Sequence, residues 1–294
     1  MRLLKEIGVY TATSVVEKSV GLMLLPLLTR MLSPKEYGFV ALFKSVVALL
    51  VPFVGLSMQG VVRVVYHKDG KAAFAEHMHN VGSLFIVTCV LTIGVVFILY
   101  PQVQNSLNIS QGWLQLAAAA AALQFVILVR LTIFQTQRRV LAFSSLQLSR
   151  AFLDVVAVLV FVVLIGGSGE DRVRAYMISH VLVFVVALVL LMREGLVGVA
   201  WDVTKVRRIL AFVGPLLPHT FALSAVLSVD RIIIASGGDL GLLGMFSVAV
   251  TLSSPSMIFA NSINRAIMPW TFKMFRQDKH LEVVSMTHAI ALGM

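Results

Sequence analysis

The sequence predicts an all-α protein that crosses a membrane several times. Hydrophobic residues make up 59% of the 294 residues and charged residues 13%, whereas about 25% of the residues in soluble domains are charged. No Asp, Glu, Lys or Arg occurs between Glu76 and Arg130, as expected for two spans joined by a short polar loop. The apolar runs are continuous, as at 155–165, while the strands of membrane barrels alternate polar and apolar residues.

Eight segments have the roughly 20 mostly apolar residues that a transmembrane helix needs. They cover residues 7–29, 37–62, 80–100, 113–134, 143–165, 175–192, 209–229 and 240–264. A ninth begins near Leu281, so the chain is expected to end inside it. No cleavage site of small residues follows the basic start of the chain, and the first span is predicted to be retained rather than removed as a signal peptide.

Lysine and arginine are distributed unequally between the two ends of these spans. If the N-terminus lies inside, the inner segments carry sixteen of these residues. The outer segments carry five, namely Arg30, Lys35, Arg172, Arg174 and Arg231. This excess predicts a cytoplasmic N-terminus. It also accounts for the net charge of +10, so nucleic acid is not an expected partner.

The longest polar connection, 193–208, predicts a division of the chain into two lobes. A six-helix lobe would cover residues 1–194, a cytoplasmic linker 195–208, and an incomplete second lobe 209–294. The alanine run at 117–122 predicts close helix packing inside the first lobe, because small residues let helix backbones approach each other in lipid.

A weak internal repeat supports this division. The segment 33–39, at the start of the second span, is weakly similar in sequence to the segment 238–246, at the start of the eighth span. Gly38 and Gly244 lie at equivalent places in the two segments. Six spans separate the copies, so both keep the same orientation, as in transporters built from parallel repeats.

Several ionisable residues lie inside predicted spans, where a charge at the helix centre costs roughly 2.5–3.5 kcal/mol. Such residues are expected to face a polar interior and are functional candidates by default. Cations there are predicted to bind an anionic group of a substrate, and acidic or histidine side chains to bind a coupling ion or proton. The predicted substrate or cavity residues are Lys18, Lys44 and Arg150. The predicted coupling residues are Glu17, Asp154 and His219.

Each of these residues also has a structural interpretation. Glu17 and Lys18 point about 100° apart on a helix, so each could pair with a neighbouring helix. Arg150 and Asp154 lie four residues apart on one face of the fifth span and could form an intrahelical ion pair, which could serve structure or function. Lys44 could snorkel to the membrane interface.

Snorkelling is also the preferred interpretation of Arg130, which lies near the inner end of the fourth span. There a long side chain can place its charge in the interface. A functional role is the less favoured alternative for this residue.

The seventh span contains Pro215 and Pro218, which remove two backbone donors and predict a kink near mid-membrane. Broken helices in transporters often mark the moving part or the binding site, so the two prolines are predicted hinge residues. His219 follows the kink and could carry a proton near neutral pH. An ordinary packing role is the alternative for His219, and it is favoured more strongly for His180.

The sequence lacks the motifs of several enzyme classes. There is no GxxxxGK[ST] loop for a nucleotide and no HExxH pair for zinc. Cys89 is the single cysteine and is interpreted as a core residue. The protein is therefore predicted not to be an enzyme and to need neither a metal nor another cofactor.

Two strings resemble those of a known family. The string LPLLTRMLSPKEYG at 25–38 resembles the end of the first span in bacterial polysaccharide transporters of the O-antigen flippase (Wzx-type) group. The strings at 230–234 and 243–249 resemble the junction of the seventh and eighth spans in the same group. This resemblance adds Arg231 to the predicted cavity residues and Asp230 to the predicted coupling residues, as parts of an outer gate. A solvated interfacial pair is the alternative.

The resemblance implies two six-helix lobes that face each other across a cavity opening alternately to each side of the bacterial inner membrane. It implies that the substrate is an oligosaccharide linked to undecaprenyl pyrophosphate, flipped to the outer leaflet for surface polysaccharide synthesis. Membrane lipid and other polysaccharide-assembly membrane proteins are the implied partners. The alternatives are an ion-coupled multidrug antiporter of the same superfamily and a non-transporting fragment of a flippase.

Overall fold

A computed structural model describes residues 2–68 and 70–256 of the chain, and these residues form helices joined by short loops. In chain order the helices are α1 (Arg2–Met31), α2 (Pro34–Gly55), α3 (Gln59–Lys68), α4 (Gly70–Leu107), α5 (Gln111–Thr136), α6 (Val140–Val158), α7 (Gly169–Arg193), α8 (Val203–Ser236) and α9 (Leu240–Ser256). Helix α6 continues as a π-helical segment, Leu159–Leu164.

Seven of the described helices, α1, α2 and α4 to α8, are long and apolar enough to cross a membrane. This confirms the prediction of an all-α polytopic membrane protein. Helix α9 corresponds to the start of the eighth predicted span. The predicted ninth span near Leu281 lies outside the described residues.

The start and end of α2 follow from its sequence. Ser33 is the N-cap: its Oγ accepts a hydrogen bond from the Glu36 N–H at 3.3 Å, and the Glu36 carboxylate accepts one from the Ser33 N–H at 2.9 Å. This capping box satisfies two backbone donors. The helix ends at Gly55 because Leu56 and Ser57 have left-handed backbone conformations, with φ of 43° and 57°. The predicted span 37–62 is therefore divided between α2 and α3.

The alanine run of α5 packs closely against α2, as predicted. Ala117, Ala120 and Ala121 are at most 1% exposed and share a hydrophobic core with Val47 and Leu42 of α2. Burial of small side chains brings the two helix backbones together. Helix α2 also packs against α4, α7 and α8, so it lies at the centre of the bundle.

The connection between α7 and α8 is bonded to α4. The Ala200 N–H donates to Ser83 Oγ at 3.0 Å, and the Asp202 N–H donates to Asn80 Oδ1 at 2.8 Å. Asp202 also caps α8 by accepting from the N–H groups of Lys205 and Thr204. These backbone hydrogen bonds, that from Lys205 foremost, lower the pKa of the Asp202 carboxyl. The hydrogen bonds to Ser83 and Asn80 fix the start of α8 against α4.

The chain divides into two compact units, Met1–Val248 and Ala249–Met294. Every site described below lies in the first unit. In the second unit the described residues, 249–256, are helical. The division into a six-helix lobe, a linker at 195–208 and a second lobe stays a prediction.

Candidate functional site

Two acidic side chains inside the helix bundle each bind an arginine from a neighbouring helix. Asp154 on α6 accepts two hydrogen bonds from Arg172 on α7, with N···O distances of 2.8 and 3.1 Å. Glu17 on α1 binds Arg150 and Gln147 on α6. Arg172 has 2% of its side chain exposed and Asp154 has 22%, so the arginine is buried and the carboxylate is partly exposed. These ion pairs hold α1, α6 and α7 together.

The intrahelical pair that Arg150 and Asp154 could form is not present in the structure. Arg150 binds α1, and Asp154 binds α7. The physical reason is that the guanidinium of Arg172 matches both carboxylate oxygens of Asp154, and a bidentate contact is stronger than a pair four residues apart on one helix. For Glu17, the contact with α6 is the structural interpretation that the sequence left open.

Lys44 lies on α2 and faces α7. Its Nζ is 5.5 Å from the centroid of the Tyr176 ring, within the range of a cation–π contact. It also lies within electrostatic range of Arg172, Asp154 and Arg231, which belong to α7, α6 and α8. The Lys44 side chain is nevertheless exposed. Lys44 is therefore a cation on the surface of the described bundle that charged groups of three other helices approach.

His180 lies beside Lys44 in the same region. It is 5% exposed, and its ring centroid is 3.9 Å from that of Tyr176. Its Nδ1 lies 2.9 Å from the carbonyl oxygen of Tyr176. Since a carbonyl oxygen accepts hydrogen bonds, Nδ1 carries the proton in this contact. The imidazole also lies within electrostatic range of Arg150 and Asp154.

We call these residues the charged cluster. It consists of Glu17, Lys44, Arg150, Asp154, Arg172, Tyr176, His180 and Arg231. Four cations face two carboxylates, so with neutral His180 the charged cluster has a net charge of +2. Such an arrangement can bind an anionic group.

Five predicted site residues show no bond to the charged cluster. Lys18, His219 and Asp230 have exposed side chains, and within residues 2–68 and 70–256 no ion pair or hydrogen bond joins them to other side chains. Pro215 and Pro218 lie inside α8, which continues as a helix past both. Their predicted roles in binding, coupling and bending stay predictions.

The sequence assigns Arg172 to an outer loop, but the structure places it in the first turn of α7. The predicted span begins at residue 175, whereas α7 begins at Gly169. A capping box between Ser168 and Asp171 starts the helix. The motif Ser-x-x-Asp at 168–171 is the sequence signal that would have placed Arg172 on a helix.

A second buried arginine lies at the other end of the bundle. Arg130 is 1% exposed, and both of its Nη atoms donate to Glu194 at 2.7 Å. Its Cζ lies 4.0 Å from the centroid of the Phe134 ring. Arg139 donates to the same carboxylate at 2.9 Å. Hydrogen bonds from Arg130 foremost, and the charges of both arginines, hold the pKa of Glu194 below its usual range. The snorkelling interpretation of Arg130 is therefore wrong.

Helices α2 and α9 approach each other at two glycines. A Cβ on Gly38 would collide with the carbonyl oxygen of Leu240, and a Cβ on Gly244 with the carbonyl oxygen of Pro34. The contacts are reciprocal, because 206 positions separate Gly38 from Gly244 and also Pro34 from Leu240. The two segments that echo each other in sequence thus pack against each other, and both need glycine.

The chain matches one protein family along most of its length. Residues 3–275 match the family described as polysaccharide biosynthesis protein. The chain belongs to this family. It is 22% identical over 288 residues to an uncharacterized membrane protein of Haemophilus influenzae, covering 94% of this chain and 67% of that relative. It is 24% identical over 307 residues to Lsg locus protein 1 of the same organism, covering 99% and 71% of the two chains.

Two solved structures share the fold of this member of the polysaccharide biosynthesis protein family. A chain named protein A superposes with a TM-score of 0.56 at 14% identity, covering 91% of this chain and 62% of that one. A crystal structure of a MATE P26A mutant gives a TM-score of 0.55 at 14% identity, covering 95% and 75%. The chain thus spans about two thirds of the length of the proteins it matches.

These matches confirm the predicted resemblance to the polysaccharide flippase family. The protein is a multi-pass membrane protein of the polysaccharide biosynthesis protein family.

Proposed function

We propose that the protein moves a lipid-linked oligosaccharide from the inner to the outer leaflet of the bacterial inner membrane, with its N-terminus in the cytoplasm. In this proposal the carrier lipid is undecaprenyl pyrophosphate, and the charged cluster binds its pyrophosphate. The sugars cross through hydrated space while the lipid tail stays in the bilayer. No covalent bond changes, so the protein acts as a transporter and not as an enzyme.

The observation that carries the proposal is the excess of positive charge around Lys44. A pyrophosphate is a compact polyanion, and arginine binds such groups through two parallel hydrogen bonds. Hydrogen bonds to charged groups contribute about 1.5–3 kcal/mol each. A cavity for cationic drugs would need the opposite sign of charge, so the charged cluster disfavours the multidrug antiporter.

The ion pairs of the charged cluster offer a route for coupling transport to an ion gradient. A substrate phosphate would compete with Asp154 for Arg172 and with Glu17 for Arg150. A carboxylate that loses its arginine binds a proton or a sodium ion more readily, because the neighbouring positive charge no longer favours its bare ionised form. Substrate and coupling ion would then act on the same two side chains.

The reciprocal contact of Gly38 and Gly244 supports the proposed arrangement in two lobes. In that arrangement α2 belongs to the first lobe and α9 to the second, and the glycines let their backbones touch at the predicted outer side. Alternating access would require this contact to open and close. Equivalent residues from the two repeats would then meet around a common axis.

Replacing Lys44 tests the proposal directly. In the intact protein, Lys44→Gln is expected to reduce surface glycan at least about tenfold in a flippase-deficient strain, since a lost charged hydrogen bond of about 1.4 kcal/mol or more changes binding by that factor. Lys44→Arg keeps the charge and is expected to restore most of the glycan. Surface glycan is measured by gel staining, with membrane levels of each variant checked by immunoblot.

The matched control is Lys35→Gln. Lys35 is exposed at the start of α2, outside the charged cluster, and its loss is expected to leave surface glycan unchanged. Wild-type glycan in the Lys44→Gln strain would remove this cation from the mechanism. An equal loss in both variants would show that general charge, and not the charged cluster, matters.

A further inference from the structure

A groove of ≈ 560 Å³ runs between α6 and α7, beside the C-terminal end of α5. None of its lining residues belongs to the charged cluster. At one end it is lined by Arg139 and Glu194, and along its length by apolar side chains such as Leu153. Phe152 and Val186 on its walls are 67% and 49% exposed. The groove thus has a charged head and an open apolar body.

The head of the groove carries uncompensated positive charge. Glu194 is shared by Arg130 and Arg139, at N···O distances of 2.7 and 2.9 Å, so two guanidinium groups face one carboxylate. The buried Arg130 Nε has no hydrogen-bond partner in the part of the chain that the structure describes. Arg139 is 55% exposed, which leaves its remaining N–H donors open to a ligand.

The groove is long enough to span the hydrocarbon of one membrane leaflet. Phe152 lies thirteen residues after Arg139, so the groove extends about 20 Å along α6. The hydrocarbon of one leaflet is about 15 Å thick, half of a core of about 30 Å. Ser145, Ser149 and Phe152 are exposed on the same face of α6, at helical spacing. Polarity therefore falls from the charged head toward mid-membrane, as it does along a phospholipid.

We propose that this groove binds one anionic phospholipid of the inner leaflet, with its phosphate on Arg139 and one acyl chain along the walls formed by α6 and α7. The positive head selects an anionic headgroup, because arginine matches phosphate geometry and basic pockets between helices bind such lipids. The exposed apolar walls select an acyl chain over a soluble ligand. The bound lipid would connect α5, α6 and α7 and stabilise the folded protein by mass action.

Lipid titration of the intact protein, read by native mass spectrometry, tests this inference. Wild-type protein is expected to retain one phosphatidylglycerol with a Kd about tenfold lower than that for phosphatidylethanolamine, equivalent to about 1.4 kcal/mol. Arg139→Gln is expected to abolish the preference. Arg138→Gln is the matched control, because Arg138 is exposed next to the groove without lining it, and it is expected to keep the preference.

Two further measurements separate a lipid from other occupants. Ser149→Trp fills the groove and is expected to release the tightly held lipid, while glycerol phosphate without acyl chains is expected not to bind measurably. Equal Kd values for the two lipids, or equal losses in the Arg138 and Arg139 variants, would overturn the proposal. Unchanged lipid binding in Ser149→Trp would also overturn it, because it would indicate that the groove is covered. Tight binding of glycerol phosphate alone would overturn it as well, because it would indicate an anion site.

Discussion

Replacing Arg172 with methionine is expected to lower the free energy of unfolding by about 3 kcal/mol, the lower end for a broken buried pair, because it leaves the charge of Asp154, 22% exposed, without its partner. Arg172 is 2% exposed and donates to both oxygens of Asp154. For a chain of this size the loss corresponds to a decrease in Tm of roughly 10 °C. Thermal unfolding of the purified protein in detergent measures it.

Two variants show whether the buried charge is the cause. Arg174→Met is the control, because Arg174 is 55% exposed in its pairs with Asp171 and Glu170, and exposed pairs contribute at most about 1 kcal/mol. Removing both partners in Asp154→Leu/Arg172→Met is expected to recover much of the stability, since no unpaired charge remains. Equal Tm losses for the two single arginine variants would contradict the buried-pair account.

Gly38→Ala is expected to destabilise the protein by about 3 kcal/mol, a value at the upper end for overpacking. The added methyl group would collide with the backbone carbonyl of Leu240, and a backbone atom in a packed helix cannot rotate away. The loss is expected as a lower Tm in detergent. Gly244→Ala is expected to behave in the same way, because it faces the carbonyl of Pro34.

Replacing Gly94 with alanine is expected to change the stability in the opposite direction. Gly94 lies in α4, and an added Cβ there meets no atom within 4 Å. Alanine is favoured over glycine inside a helix by up to about 1 kcal/mol, so Gly94→Ala is expected to raise Tm slightly. A similar shift in the Gly38 and Gly94 variants would show that the close contact between α2 and α9 does not contribute to stability.

The helices were predictable because an apolar run of about 20 residues can cross a bilayer only if its backbone hydrogen bonds are satisfied within the protein, as they are in a helix. Their ends were harder to predict. Helix α4 continues to Leu107 and α8 starts at Val203, each several residues beyond the predicted spans. In those stretches polar residues continue the helix outside the apolar run, where hydropathy gives no signal.

The ion pairs could not be predicted because their partners are distant in the chain. Glu17 and Arg150 are 133 positions apart. The sequence around either residue does not indicate that the other is its partner. The sequence predicts several charged residues inside the membrane. Each is expected to have a partner, because an unpaired charge there is costly in free energy. The interhelical packing decided which partners they obtained.

The contact between Gly38 and Gly244 could not be predicted from the sequence either. The sequence related Gly38 to Gly244 as equivalent positions of a repeat. That relation predicts similar surroundings for the two residues, and it does not predict that they touch. Their contact follows from the packing of α2 on α9.

The proposed function requires that water reaches Lys44 of the charged cluster inside the membrane-spanning bundle. The most direct test is labelling of Lys44→Cys by a charged, membrane-impermeant thiol reagent, in protein whose single native cysteine is removed as Cys89→Ala. Phe97→Cys is the matched control, because Phe97 is 62% exposed on α4 but apolar and expected to face acyl chains. We expect the reagent to label the Lys44→Cys variant and not the Phe97→Cys variant, whereas two equally unreactive variants in every transport state would show that water does not reach Lys44.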